Sequence, residues 1–256
     1  MRHGSPERRR ALRLAAAGAL GALLVSAGPA VAAGPVVYVQ AGHQGPREPG
    51  YRAQTGAGSG PFGSEIGFTT TLAPKVIARL RRAGVDARAT PGLIRPYGAG
   101  GAAFVSLHHD VPEGAAAVGH AITVDNENWY HGEGGGAPSP TPYPDSAPHR
   151  PATTVSAAVE RRSRDLAYRI AARYRPIYSA ANGARGRWGG VQTRDGNPRM
   201  MSFHGFYRTR TDARVIVEAG AGGTDDAFLA RTDLIAAAVS RGILDHLRAR
   251  RLAGRG

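Results

Sequence analysis

Pro35-Val36-Val37-Tyr38-Val39-Gln40, followed by Ala41-Gly42-His43-Gln44-Gly45, is the stretch that decides the fold. A short β-branched run of this kind reads as a buried strand. It stops at a glycine, and a histidine stands at its end. Two later stretches repeat the arrangement. Ala102 to Leu107 runs into His108-His109-Asp110, and Arg214-Val215-Ile216-Val217 ends in Glu218. Each places a residue able to bind metal at the carboxyl end of an apolar strand. In open α/β sheets ligands bind outside the carboxyl ends of the strands. If the three strands lie parallel, their ends converge on one point.

Helices separate these strands. From Glu65 to Ala83 the apolar residues Ile66, Leu72, Val76, Ile77 and Leu80 recur near the helical period. Pro74 predicts a break or restart within that stretch, and Gly84 a C-cap. Val85–Ala89 and Gly119–Val124 read as further strands. Thr153 or Thr154 is expected to cap a helix reaching about Tyr174, with Val155, Val159, Leu166 and Ile170 on its apolar side. Asp225 or Asp226 opens a last helix to about Arg250. Residues 45–63 and Gly183–Ser202 read as irregular. Residues 131–152 hold Gly134-Gly135-Gly136 and six prolines, which predicts a surface loop, and we expect it to gate the site. The alternation predicts a single α/β domain over 34–256, with a mixed, mostly parallel central sheet and helices on both faces.

The first 33 residues read as a separate, cleaved segment. Arg2, Arg8, Arg9, Arg10 and Arg13 precede an apolar stretch from Leu14 to about Val25, and Ala30-Val31-Ala32-Ala33 offers an A-x-A cleavage site. This is the pattern of a secretory signal peptide. Its apolar part is shorter than the ~20 residues of a comfortable membrane span. An uncleaved N-terminal anchor is the alternative. The expected location is outside the cell, without stable membrane insertion once the leader is removed.

Charge and cysteine content narrow the function. The formal net charge is +14, and removal of 1–33 leaves about +10. A basic exported protein suits an anionic surface. The arginines are scattered, with no nucleic-acid-binding motif among them, so nucleic acid is not an expected partner. Cysteine is absent. That excludes disulfides, thiolate-bound metal and thiol nucleophiles. A metal here must be held by histidine and carboxylate, which suits catalytic zinc with three protein ligands and one open position. A further carboxylate nearby can take a proton from water and return it to a leaving amine. The chemistry this points to is metal-assisted amide hydrolysis.

Taken singly, each residue has a plainer reading. His43 fits a loop histidine in a glycine-rich turn. Glu65 fits an ordinary first-turn glutamate favoured by the helix dipole. His109 competes with His108, and strand alternation sends the two to opposite faces. Glu218 has no simple structural role, because a buried carboxylate needs a partner.

The motifs taken in order resemble the zinc-dependent N-acetylmuramoyl-L-alanine amidases. Val37 to Gly45 is similar to that family's strand leading into a Gly-His-Gly-Gly turn. Ser64-Glu65-Ile66 is similar to its glutamate opening a helix, and Ser106-Leu107-His108-His109-Asp110 to its Ser-x-His-x-Asn. Val215-Ile216-Val217-Glu218-Ala219-Gly220 is similar to its strand ending in glutamate. The likeness runs over about residues 36–250. It implies that His43, Glu65 and His108 bind one zinc ion and that Glu218 is the catalytic carboxylate. The bond cut would join the lactyl group of muramic acid to L-alanine in peptidoglycan. The implied partner is therefore the glycan strand with its stem peptide, and a protein activator is left open. Gln44, Asp110 and Ala221 depart from the family pattern beside these residues, and none replaces one of the four. A zinc peptidase or carboxypeptidase on a wall peptide shares the same metal logic. A non-catalytic peptidoglycan-binding protein of the same fold is the other alternative.

His120, His131, His149, His204 and His246 read as structural or solvated. Trp129, Tyr130 and Trp188 read as loop anchors, and Arg185, Arg187 and Arg194 as a solvated basic face.

Overall fold

The structure, a computed structural model, describes residues 34–42, 58–90, 100–122, 155–194 and 209–253. The expected leader, the 131–152 loop, His43, Trp129, Tyr130, His131, His149 and His204 lie outside the described residues.

Among the described residues, eight strands and four α-helices follow one another. They are β1 (Val36–Ala41), α1 (Glu65–Arg82), β2 (Asp86–Thr90), β3 (Gly100–Gly101), β4 (Ala103–Asp110) and β5 (Ala116–Ala121). Then come α2 (Ala157–Asn182), β6 (Trp188–Arg194), β7 (Arg210–Thr211), β8 (Arg214–Ala221), α3 (Asp226–Leu229) and α4 (Thr232–Ala253). Six strands form one sheet in the order β2-β1-β4-β8-β5-β6. All neighbours are parallel except β5 and β8. The mixed, mostly parallel sheet of the sequence reading is thus observed, and its three key strands β1, β4 and β8 are adjacent and parallel. β3 and β7 pair separately.

Alternation along the strands divides the sheet into two faces. Val37, Val39, Val105, Leu107, Val215 and Val217 join one core with the three long helices. α1 contributes Phe68, Leu72, Val76 and Leu80, all fully buried at a spacing of four. Burial of each such side chain contributes about 1.5–3 kcal/mol. On α4, Gly242 permits a close helix crossing. A Cβ there would stand 2.5 Å from the Ile170 Cα of α2. The second face carries Gln40, Ser106, His108 and Glu218.

Several expected boundaries move, for physical reasons. Pro74 does not break α1. It is exposed, and the Thr70 carbonyl it leaves without an amide partner lies on the solvent side. α2 begins at Ala157 under a Ser156 cap and continues through the exposed Pro176 to Asn182, past the expected end at Tyr174. The strand expected at Gly119–Val124 is Ala116–Ala121. The Gly183–Ser202 stretch, read as irregular, contains the edge strand β6. The last helix is preceded by the short α3.

Candidate functional site

Glu65 is the first residue of α1. Ser64 caps the helix, its Oγ accepting from the Gly67 amide at 3.3 Å. This cap fixes the direction in which α1 starts, and the start lies over the carboxyl ends of β1 and β4. Thr69, one turn further, donates its hydroxyl to the Gly42 carbonyl at 2.7 Å and ties the helix to the end of β1. Glu65 is 4% exposed. A glutamate placed only for the helix dipole would be solvated, so the plainer first-turn reading does not describe it.

The Glu65 carboxylate meets His108 of β4, with Oε1 2.7 Å from Nδ1. It also accepts from the His109 amide at 3.3 Å. An imidazole nitrogen and a carboxylate oxygen approach this closely only across a proton or a metal ion. Around tetrahedral zinc, ligand atoms at about 2.0–2.2 Å from the metal stand roughly 3.3 Å apart. The pair therefore needs to open by only about 0.6 Å to hold one.

Gly42 closes the other side. Its amide donates to the Leu107 carbonyl at 2.9 Å. A Cβ on Gly42 would lie 2.2 Å from His108 Cε1 and 2.4 Å from Nε2. Only glycine lets β1 pass the imidazole this closely. The residue that follows is His43, which lies outside the described residues. Among the described residues no group of three His, Asp or Glu side chains is gathered to hold a metal. What the described chain brings together is the Glu65–His108 pair with the end of β1.

Glu218 is the register partner of His108 across the parallel β4–β8 ladder. Register partners point to the same face, and neighbouring strands run about 4.8 Å apart. Glu218 is half-buried, unlike the buried residues before and after it. Its strand end is firmly held. Tyr174 donates to the Ala219 carbonyl at 2.5 Å, and Tyr178 donates to Asp225 Oδ2 at 2.8 Å. The same Asp225 oxygen accepts from the Ala221 amide at 2.9 Å. Burial first, and then the Asp225 carboxylate, push the Tyr178 phenol well above its usual range, so it remains a donor. Phe228 stacks edge-on against both tyrosines.

His109 is a neighbour of the site but no rim residue. It is 1% exposed and packs edge-on against Phe68 at 5.4 Å. Its Nδ1–H donates to the Asp110 carbonyl. Asp110 shapes the turn into β5, accepting from the Val111 amide at 2.8 Å. Of the remaining histidines, His246 is fully buried on α4, against Asp165 of α2 at 2.6 Å. His120 is buried on β5. Trp188 sits on β6 beside Tyr174 and Tyr178, so it is a strand residue, not a loop anchor. Arg185 and Arg187 are exposed, as expected of a solvated face.

Two residues of the site carried no role in the sequence reading. Gln40 and Ser106 are fully buried and share the face of His108. The available signal was polarity inside an otherwise apolar strand, the same signal that singled out Glu218.

The described fold is similar to solved bacterial structures. One is the apo form of the N-acetylmuramyl-L-alanine amidase Ami1 from Mycobacterium abscessus, at 18% identity and a TM-score of 0.52, covering 84% of this chain and 99% of that one. Another is the catalytic domain of CwlV, an N-acetylmuramoyl-L-alanine amidase from Bacillus (Paenibacillus) polymyxa var. colistinus. There the identity is 16% and the TM-score 0.50, covering 83% of this chain and 98% of that one. A third is Cwp6 from Clostridium difficile, at 18% identity and a TM-score of 0.51, covering 84% of this chain and 30% of that one. No family model and no curated protein matches the sequence. The chain has the fold of N-acetylmuramoyl-L-alanine amidase catalytic domains.

Proposed function

We propose that this chain is an exported, zinc-dependent N-acetylmuramoyl-L-alanine amidase. The observation that carries the reading is the buried Glu65–His108 contact of 2.7 Å at the ends of parallel strands, with Glu218 in register beside it. The shared fold and the order of the four motifs support it. His43, Glu65 and His108 would hold one zinc ion. A zinc ion bound there supplies Lewis-acid polarisation of the scissile carbonyl and lowers the pKa of water toward about 7.

The chain's own residues supply the rest. Glu218, half-buried on the face of His108, would accept a proton from the attacking water. It would then return that proton to the amine of L-alanine as the amide breaks. Thr69 and Gly42 hold the helix start and strand end in register, so the ligands need little rearrangement. The net positive charge would favour approach to the anionic wall. The leader of residues 1–33 would direct export.

Metal content tests the first half of this reading. The purified protein should hold one zinc per chain, and His43→Ala, Glu65→Ala and His108→Ala should each lose it while remaining folded. Zinc retained undiminished by all three variants would sink the assignment.

A further inference from the structure

The Glu65–His108 contact leaves open what decides which imidazole nitrogen is offered to a metal. Behind His108 lies a chain of two more buried polar residues. Ser106 Oγ is 2.9 Å from His108 Nε2. The same hydroxyl donates to Gln40 Oε1 at 2.8 Å. Gln40 and Ser106 are fully buried, and His108 is 2% exposed. Gln40 is the register partner of Ser106 across β1 and β4. The backbone ladder itself therefore holds the three side chains in line.

A serine hydroxyl has one proton. Here it goes to Gln40, so Ser106 Oγ faces the imidazole as an acceptor. His108 Nε2 must then carry a hydrogen. The 2.7 Å approach of Nδ1 to Glu65 holds a second proton in the metal-free chain, and a zinc ion that displaced it would meet the Nδ1 lone pair. We propose that Gln40 and Ser106 are positioning residues that set the tautomer of His108 and so prepare Nδ1 for zinc; this rests on the functional reading above. Gln40 acts at two removes, through a hydrogen-bond direction. Without its acceptor the Ser106 hydroxyl is free to rotate and donate to Nε2. That would place the histidine proton on Nδ1, against the metal. Groups that orient a metal-bound histidine in this way change affinity by about 10- to 100-fold when removed.

The test measures zinc affinity by chelator competition on the full chain, with the melting temperature of each zinc-free variant as a folding control. Ser106→Ala and Gln40→Met should each weaken zinc about 10- to 100-fold. Gln40→Glu, which can accept from Ser106 but cannot donate, should bind within a few-fold of the parent. Equal affinity in all variants would overturn the relay while leaving the zinc site standing. Failure of the unmodified chain to bind zinc would overturn the functional reading beneath it. A second readout needs no variant in the relay. In the zinc-loaded, ¹⁵N-histidine-labelled chain, His108, assigned by signal loss in His108→Asn, should show a proton bonded to Nε2. A bare Nε2 would mean that the hydroxyl donates to the histidine, and would overturn the proposal.

Discussion

Glu65 and His108, 43 residues apart in the chain, meet with Oε1 2.7 Å from Nδ1, both side chains buried. One comes from a helix start and the other from the end of a parallel strand. Burial of a carboxylate is costly unless it is paired and hydrogen-bonded. Glu65→Gln keeps the shape and removes the charge. It should lower zinc affinity by more than about 100-fold, beyond the loss typical of an outer partner. Isothermal titration of the zinc-free protein checks this.

Glu218 is in register with His108 and half-buried, and the proposed function gives it a role apart from metal binding. Glu218→Gln should keep zinc and fold intact and reduce turnover by about 10²–10⁴-fold, the range of a lost general acid–base. Paired measurements of zinc content and rate check it. Loss of zinc in this variant would instead make Glu218 a ligand.

Gly42 gives β1 its passage beside the imidazole. Gly42→Ala would put a methyl group 2.2 Å from His108 Cε1. The expected cost is about 1–3 kcal/mol of stability from overpacking, together with loss of zinc, read by denaturant unfolding and metal analysis. Gly242→Ala is the control. It crowds the α2–α4 crossing at 2.5 Å from Ile170 Cα, away from the site. It should destabilise by a similar amount while zinc affinity stays unchanged.

Acid should loosen the fold before carboxylates titrate. Burial lowers the pKa of His246 and of His120 below the ordinary 6.5, so both take up a proton less readily in the folded chain than in the unfolded one. The unfolded chain then binds more protons below that value. Stability is full above about pH 6.5 and declines as pH falls below it toward the lowered folded values. Urea unfolding between pH 5 and 8 checks the sign, and His246→Asn should flatten part of the slope.

The parts of the fold that the sequence revealed were those with one strong period. β1, β4 and β8 are nearly uninterrupted apolar runs, and α1 repeats its buried residues every fourth position. β6 was hidden because Gly189 and Gly190 break its pattern, and an edge strand buries only part of its side chains. β5 was displaced because its alanines carry little strand preference beside the Ile122-Thr123-Val124 that follows. Pro74 was read as a break or restart and the second long helix was expected to end at about Tyr174, although exposure lets a helix carry proline on its wet side. Within the site, single polar residues ending apolar strands stood out. Gln40 and Ser106 did not, because their meaning depends on which residue lies opposite in the neighbouring strand. Register of that kind is a tertiary property.

The most direct test of the central claim is the mass of the fragments released from purified peptidoglycan by the zinc-loaded protein, with Glu218→Ala alongside. The account predicts free stem peptides that begin with an unmodified L-alanine amine, dependent on zinc and absent from the variant. Shortened peptides still attached to muramic acid, or equal release by the variant, would contradict it.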